Sequence, residues 1–286
     1  MVRLQRILTI AAVWLSGAAA PAAVILSNNS PLDDSFTNPG SANQGQAVGS
    51  SGWYYNNVRN NAVVGISGTY PNATNGSVAF YSPSSSGKAD IEYLPGAVNV
   101  GGNFYSGGSL GLFSDLESFS YAWYRSGAST VGAHLHPALR VLLDADGNLG
   151  TVTDRGGLVF EAVYNGAPIA PVNTWVSQSV TSSTNLWNFG LGIGFAANIN
   201  ATPYAYDATL ADWQAYFPNA VILGFSAGVG SGWNGEFWGA VDEMSWTIAG
   251  QTSSFNFEVA PGAEIPEPST WLLTAAGLAL LVRRKG

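Results

Sequence analysis

Residues 117–124 read Glu-Ser-Phe-Ser-Tyr-Ala-Trp-Tyr, with Phe119, Tyr121 and Trp123 at every second position and small residues between them. Successive side chains of a strand point to opposite faces, so this octapeptide reads as a strand with one heavily packed aromatic face. The same pattern governs most of the chain. Short β-branched and aromatic runs at 62–67, 77–81, 89–94, 139–143, 158–164, 174–180, 185–189, 220–225, 236–248 and 254–259 alternate with Gly, Asn, Ser and Pro clusters. The Asp146-Gly147 step between two of these runs suits a hairpin turn, since it accepts positive φ. One helix is expected, over 209–217. Thr209 caps it, Asp212 takes the third helical position, and Leu210, Trp213 and Phe217 form one stripe. Residues 24–51, poor in apolar side chains, read as an extended N-terminal arm with at most one strand near 24–26. No fixed repeat is present. About a dozen strands and one helix over 52–260 therefore predict an all-β, two-sheet sandwich of jelly-roll type.

The two ends follow other rules. Residues 1–23 carry Arg3 and Arg6, an apolar stretch over 7–15 and a run of small residues, the layout of a secretory signal peptide with a mature start at Ala23 or Val24. At the far end, Pro266-Glu267-Pro268 is stiff and extended because each proline fixes its own φ and restricts the residue before it. An apolar segment over 269–282 follows, then Arg283, Arg284 and Lys285. Fourteen helical residues reach about 21 Å against a hydrocarbon core of about 30 Å, too short for a comfortable permanent span. The three cations prefer the cytoplasmic side.

Residues 261–286 resemble the PEP-CTERM sorting signal of exported Gram-negative bacterial proteins. The resemblance implies transient anchoring in the inner membrane and recognition of Pro266, Glu267 and Pro268 by exosortase, a membrane-embedded cysteine transpeptidase. With signal peptidase acting at the other end, it places the body at the cell surface or in the extracellular matrix. The stretch from Gly235 through Phe237, Trp238 and Trp246 to Ile248 resembles the closing strands of concanavalin-A-like lectin and glucanase domains, which favours the sandwich.

Composition narrows the function. The whole chain carries a net charge of −8, but residues 23–263 hold five cations against sixteen acids, a net −11. A nucleic-acid partner is excluded by the lack of a basic face. The chain has no cysteine, which excludes thiol catalysis and Cys-ligated zinc.

Paired carboxylates for glycoside hydrolysis are best sought at Glu236, Asp242 and Glu243. The Glu-x-Asp-x-x-Glu pattern of laminarinase-type enzymes is missing there, and adjacent Asp242 and Glu243 face opposite ways on a strand. No catalytic residue is assigned. His134 and His136 share a strand face and offer two metal ligands or, as the simpler reading, hydrogen-bonded structural imidazoles. Asp144, Asp146 and Asn148 alternate like the start of a calcium loop, yet Leu149 and Arg155 stand where an EF-hand has Gly and Glu. Calcium is the one ion to test. Trp233, in a glycine-rich loop beside Asn234, is the candidate glycan-stacking residue. The expected function is a non-enzymatic surface or matrix protein with weak polysaccharide contacts. The alternatives are a structural matrix protein without ligand and a glycan-active hydrolase.

Overall fold

Period-two alternation produces a strand in each expected run and additional ones, although the run at 158–164 stops at Phe160 because Ala162–Asn165 winds into a 3-10 helix. The computed structural model describes residues 21–200 and 202–262. Signal-peptide residues 1–20 and the sorting residues Pro266, Glu267, Pro268, Arg283, Arg284 and Lys285 lie outside the described residues. Among the described residues no helix is long and apolar enough to cross a membrane. The first half contains β1 (Ala23–Leu26), β2 (Phe36–Thr37), β3 (Gln44–Ala47), β4 (Trp53–Arg59), β5 (Val63–Ser67), β6 (Ser77–Ser82), β7 (Lys88–Tyr93), β8 (Val98–Val100), β9 (Asn103–Tyr105) and β10 (Leu116–Arg125). The second contains β11 (Ala138–Asp144), β12 (Arg155–Phe160), β13 (Trp175–Val180), β14 (Trp187–Gly190), α1 (Leu210–Tyr216), β15 (Val221–Gly230), β16 (Phe237–Ile248) and β17 (Gln251–Glu258). The arm over 24–51 thus holds three strands rather than one. Its Ile25 and Val48 are buried.

Two sheets form a sandwich. One runs β1-β17-β16-β6-β5-β2, with β10 paired to both β16 and β13; the other runs β14-β12-β11-β15-β7-β4-β3. A small β8–β9 hairpin stands apart from both. The inner faces meet through aromatic side chains. Phe225 of the seven-stranded sheet stacks on Trp246 of the other at 4.4 Å between ring centroids, and Trp53 meets Phe257 edge-on at 5.0 Å. Such pairs add roughly 0.5–1.5 kcal/mol each beyond the area they bury. Phe119, Tyr121 and Trp123 all point into this core. The helix carries the expected capping box between Thr209 and Asp212, and its Leu210 and Trp213 are buried.

Asp242 is an exception inside the core. The β10–β16 register shifts beside it, and Glu243 takes a left-handed φ of 50°, turning outward while Asp242 turns in. Strand β17 parts from β16 after Phe255, and Asp242 Oδ1 accepts the N–H of Phe257 at 2.9 Å. Its Oδ2 is buried and accepts nothing from the described residues. Burial, the largest cause, pushes the carboxyl up to about 7 despite that backbone hydrogen bond. The native chain therefore holds a proton that the unfolded chain releases near pH 4. This contribution is present at low pH and is lost as pH rises from about 4 through about 7. Asp242→Asn keeps the acceptor and removes the ionisation. Its melting temperature should exceed wild type by an amount that grows between pH 5 and pH 8 and disappears below about pH 4; three pH units correspond to an order of 4 kcal/mol. A pH-independent difference would contradict the assignment.

Candidate functional site

The outer face of the seven-stranded sheet carries a groove of about 470 Å³. Its floor is one transverse row of cross-strand partners: Trp187 opposite Val159, Val159 opposite Arg140, Arg140 opposite Ser226, and Ser226 opposite Glu92. A second row sets Ala138 opposite Gly228, Gly228 opposite Asp90, and Asp90 opposite Asn56. From β14 to β4 the floor crosses five inter-strand spacings, about 24 Å at about 4.8 Å each. Ala138 lines the groove, whereas Gly228 lies beneath the Asp90 side chain. A Cβ on Gly228 would fall on the Asp90 carboxylate and the Ala89 carbonyl, so glycine is what lets Asp90 lie across the strand.

A continuous polar network fills this floor. Arg140 Nη1 donates to Asp90 Oδ1 at 2.8 Å and to Ser226 Oγ at 3.2 Å, while Lys88 Nζ sits 3.2 Å from Asp90 Oδ2. Asn57 Nδ2 spans both acids, at 2.9 Å from Asp90 Oδ2 and 3.1 Å from Glu92 Oε1. It can do so because β4 bulges after Asn56 and Asn57 takes a φ of 53°, a conformation asparagine tolerates. Asn56 Nδ2 donates to Glu92 Oε2 at 2.6 Å and to Phe104 O at 2.8 Å, while its Oδ1 accepts the Phe104 N–H. That side-chain amide pairs with the β9 backbone as a strand would, docking the β8–β9 hairpin as one wall.

The rims are aromatic. Tyr105 of the hairpin is 48% exposed, and Phe195, on the loop after β14, is 65% exposed with its ring edge-on to Trp187 at 5.4 Å. Trp187 Nε1 donates to Glu161 Oε2 at 3.0 Å, which fixes the indole beside the groove. Tyr164 and Tyr206, 4.1 Å apart, extend the cluster behind it.

Charge is unevenly settled. Burial alone would raise the Asp90 carboxyl, but Arg140, Lys88 and the hydrogen bonds from Lys88 and Asn57 together hold it below the usual range. Glu92 is pushed up by burial and then by the neighbouring Asp90 charge; Glu161 is pushed up by burial. Three of the five cations in residues 23–263, Lys88, Arg140 and Arg155, line this groove.

The residues singled out from sequence fall in different places. Trp233 is not displayed on its loop: it is 9% exposed, packs edge-on to Phe237 at 5.2 Å, and lines one end of the groove. Asn234 is exposed and outside the groove lining. Neither Glu236, which accepts from the Tyr81 hydroxyl at 3.2 Å, nor Asp242 nor Glu243 lines it. His134 is exposed and His136 is buried, so the two are not brought together as ligands. His136 Nε2 accepts the Ala162 N–H at 3.1 Å, leaving Nδ1 as the protonated nitrogen facing Pro137 O at 2.9 Å. Burial brings this imidazole down to about 4, and its ring stacks on Trp123, a structural role. Asp144 and Asp146 come together with Asp154, whereas the Asn148 side-chain oxygen accepts the Gly150 N–H.

Sequence reading passes over the groove acids, although Lys88, Asp90 and Glu92 alternate with Ala89 and Ile91 and so mark one charged strand face. The expectation that the chain has no Gly-x-Ser-x-Gly elbow is corrected by Gly224-Phe225-Ser226-Ala227-Gly228, which has that spacing. Ser226 lies within β15 rather than at a strand-to-helix turn, it accepts from Arg140, and no histidine lines the groove.

No family model and no curated protein match the sequence. Two solved structures resemble the fold in outline, both family 11 carbohydrate-binding modules from Clostridium thermocellum. One, in complex with a β-1,3-1,4-mixed-linked tetrasaccharide, is 10% identical with a TM-score of 0.36 and covers 78% of this chain and 92% of its own. The other, from a cellulosomal cellulase, has the same identity and TM-score and covers 82% and 97%.

If Gly228 is what admits the Asp90–Arg140 pair, Gly228→Ala should lower the urea midpoint by an amount equivalent to about 1–3 kcal/mol, the usual cost of overpacking. An unchanged midpoint would show that the floor does not need the glycine.

Proposed function

We propose that this chain is an exported, non-catalytic polysaccharide-binding protein whose binding surface is the groove on the seven-stranded sheet. The observation that carries the reading is the pairing of a hydrogen-bonding floor with exposed aromatic rims. A sugar polymer presents hydroxyls that both donate and accept, together with apolar C–H faces. The first suit the cations of the floor, Lys88 and Arg140; the second suit rings such as Phe195, Tyr105 and Trp187. Exposed aromatic side chains clustered beside a polar cleft mark a contact site more often than scattered ones do. The signal-peptide layout of residues 1–23 and the likeness of residues 261–286 to an exosortase sorting signal support delivery to the cell surface or extracellular matrix of a Gram-negative bacterium, where such polymers are met.

One observation favours a hydrolase instead. Asp90 is held ionised while Glu92 is pushed toward the protonated form, and both touch the same Asn57 nitrogen, so the two carboxyls are near the separation of a retaining pair. Against it, all four carboxylate oxygens already accept from Arg140, Lys88, Asn56 or Asn57, and both acids are buried in the floor rather than placed across it. That arrangement spends both side-chain amides on holding the surface in shape and leaves Arg140, engaged only through Nη1, to meet a ligand.

A glycan array and affinity gel electrophoresis with the purified chain test this. Wild type should bind at least one polysaccharide without shortening it. Phe195→Ala and Trp187→Ala should weaken that binding about tenfold each, the equivalent of one lost stacking contact. Trp233→Ala should act more on melting temperature than on binding. Turnover of a bound polysaccharide that disappears in Glu92→Gln would establish the hydrolase. No binding by wild type to any glycan would leave the structural matrix role.

A further inference from the structure

Strands β11 and β12 are joined by a loop over residues 145–154 that draws Asp144, Asp146 and Asp154 together, with one carboxylate oxygen of each within 4.8 Å of the others. Each acid is tethered through one oxygen. Asp144 Oδ2 accepts from Arg155 Nε at 3.2 Å, Asp154 Oδ2 accepts the Asp146 N–H at 2.9 Å, and Asp146 Oδ1 accepts the Asn148 N–H at 2.7 Å. The opposite oxygens are another matter. Asp144 is fully buried, and both its Oδ1 and the Oδ1 of Asp154 are shielded from solvent and accept no hydrogen bond from any described residue. Buried carboxylate oxygens without a donor cost free energy unless a cation meets them. Three acids face the single Arg155 guanidinium at this spot.

We propose that Asp144, Asp146 and Asp154 form a calcium site that clamps the β11–β12 loop. Calcium bonds oxygen at about 2.3–2.6 Å, so oxygens flanking one ion lie at or below about 5 Å from each other, as these do. Magnesium fits less well, because it demands near-ideal octahedral geometry and keeps its waters, which the two buried Oδ1 atoms leave little room for. Asn148, whose side-chain oxygen is engaged by the Gly150 N–H, is outside the ligand set. The site also bears on the groove without resting on the glycan reading. Arg155, held by Asp144, donates to Ser106 O at 3.2 Å and Leu149 O at 3.0 Å, so the same residue links the clamp to the chain following the β8–β9 hairpin.

The test uses the purified full chain stripped of metal. Titration with calcium chloride in a calorimeter should show one site per chain, and 1 mM calcium should raise the melting temperature by about 5 °C over the chelated state. Magnesium chloride at the same concentration should shift it far less. Asp154→Asn should abolish the calcium heat and the shift, while Asn148→Ala should keep both. Asp146→Asn, at an exposed position, should weaken calcium binding at least tenfold, which keeps the test decisive if Asp154→Asn does not fold. No calcium heat and no melting shift in folded wild type would overturn the proposal; so would calcium binding that Asp146→Asn and Asp154→Asn leave intact.

Discussion

The Asp90–Arg140 ion pair is the contact on which the outer sheet face depends. It lies across β7, β15 and β11, possible only because Gly228 leaves the crossing strand bare, and it neutralises a carboxylate that burial alone would keep protonated. An ionised acid then becomes the hub for Lys88 and Asn57, and Asn57 carries the network on to Glu92. Removing one partner of such a pair leaves a buried charge unpaired, which costs far more than the pair itself contributes. The network also explains the walls. A sheet face bearing this many polar groups would ordinarily lie open to water; here the β8–β9 hairpin, pinned by Asn56, partly covers it and leaves a groove.

The two sheet faces therefore divide the work by chemistry. Inward, Trp53, Phe119, Phe225, Trp246 and Phe257 build a core that needs no disulfide, in a chain that has no cysteine. Outward, three of the five cations within residues 23–263 are gathered on one surface. Desolvation moves Asp242, Glu92 and Glu161 up and His136 down, each toward its neutral form, whereas Asp90 is held charged by its neighbours.

Much of the architecture was legible because local pattern and tertiary role agree. Phe119, Tyr121 and Trp123 announce a strand with one packed face, and Thr209 with Asp212 announces the helix start, both as found. Strand β4 escaped notice because Asn56 and Asn57 interrupt its aromatic run, and their bulge breaks the period that identifies a strand. The groove escaped because its residues lie on strands far apart in sequence, and only the strand order β14-β12-β11-β15-β7-β4 lines up Trp187, Arg140 and Glu92. Trp233 is buried rather than displayed, for a related reason. Its glycine neighbours suggest open space, but Phe237, four residues on, fills it. At the β11–β12 loop, alternation pointed to Asn148 as the third oxygen, whereas the hairpin returns the chain so that Asp154 arrives beside Asp144.

The polysaccharide surface proposed for this chain is the groove and no other face. Hydrogen–deuterium exchange of the chain with and without the glycan that the array selects tests it most directly. Slowed exchange is expected in the β8–β9 hairpin at 98–105 and in the loop over 191–200, whose Tyr105 and Phe195 would lie beneath the bound polymer. Unchanged exchange in both segments, with slowing instead along β10, β13 or β16 of the other sheet, would contradict the account.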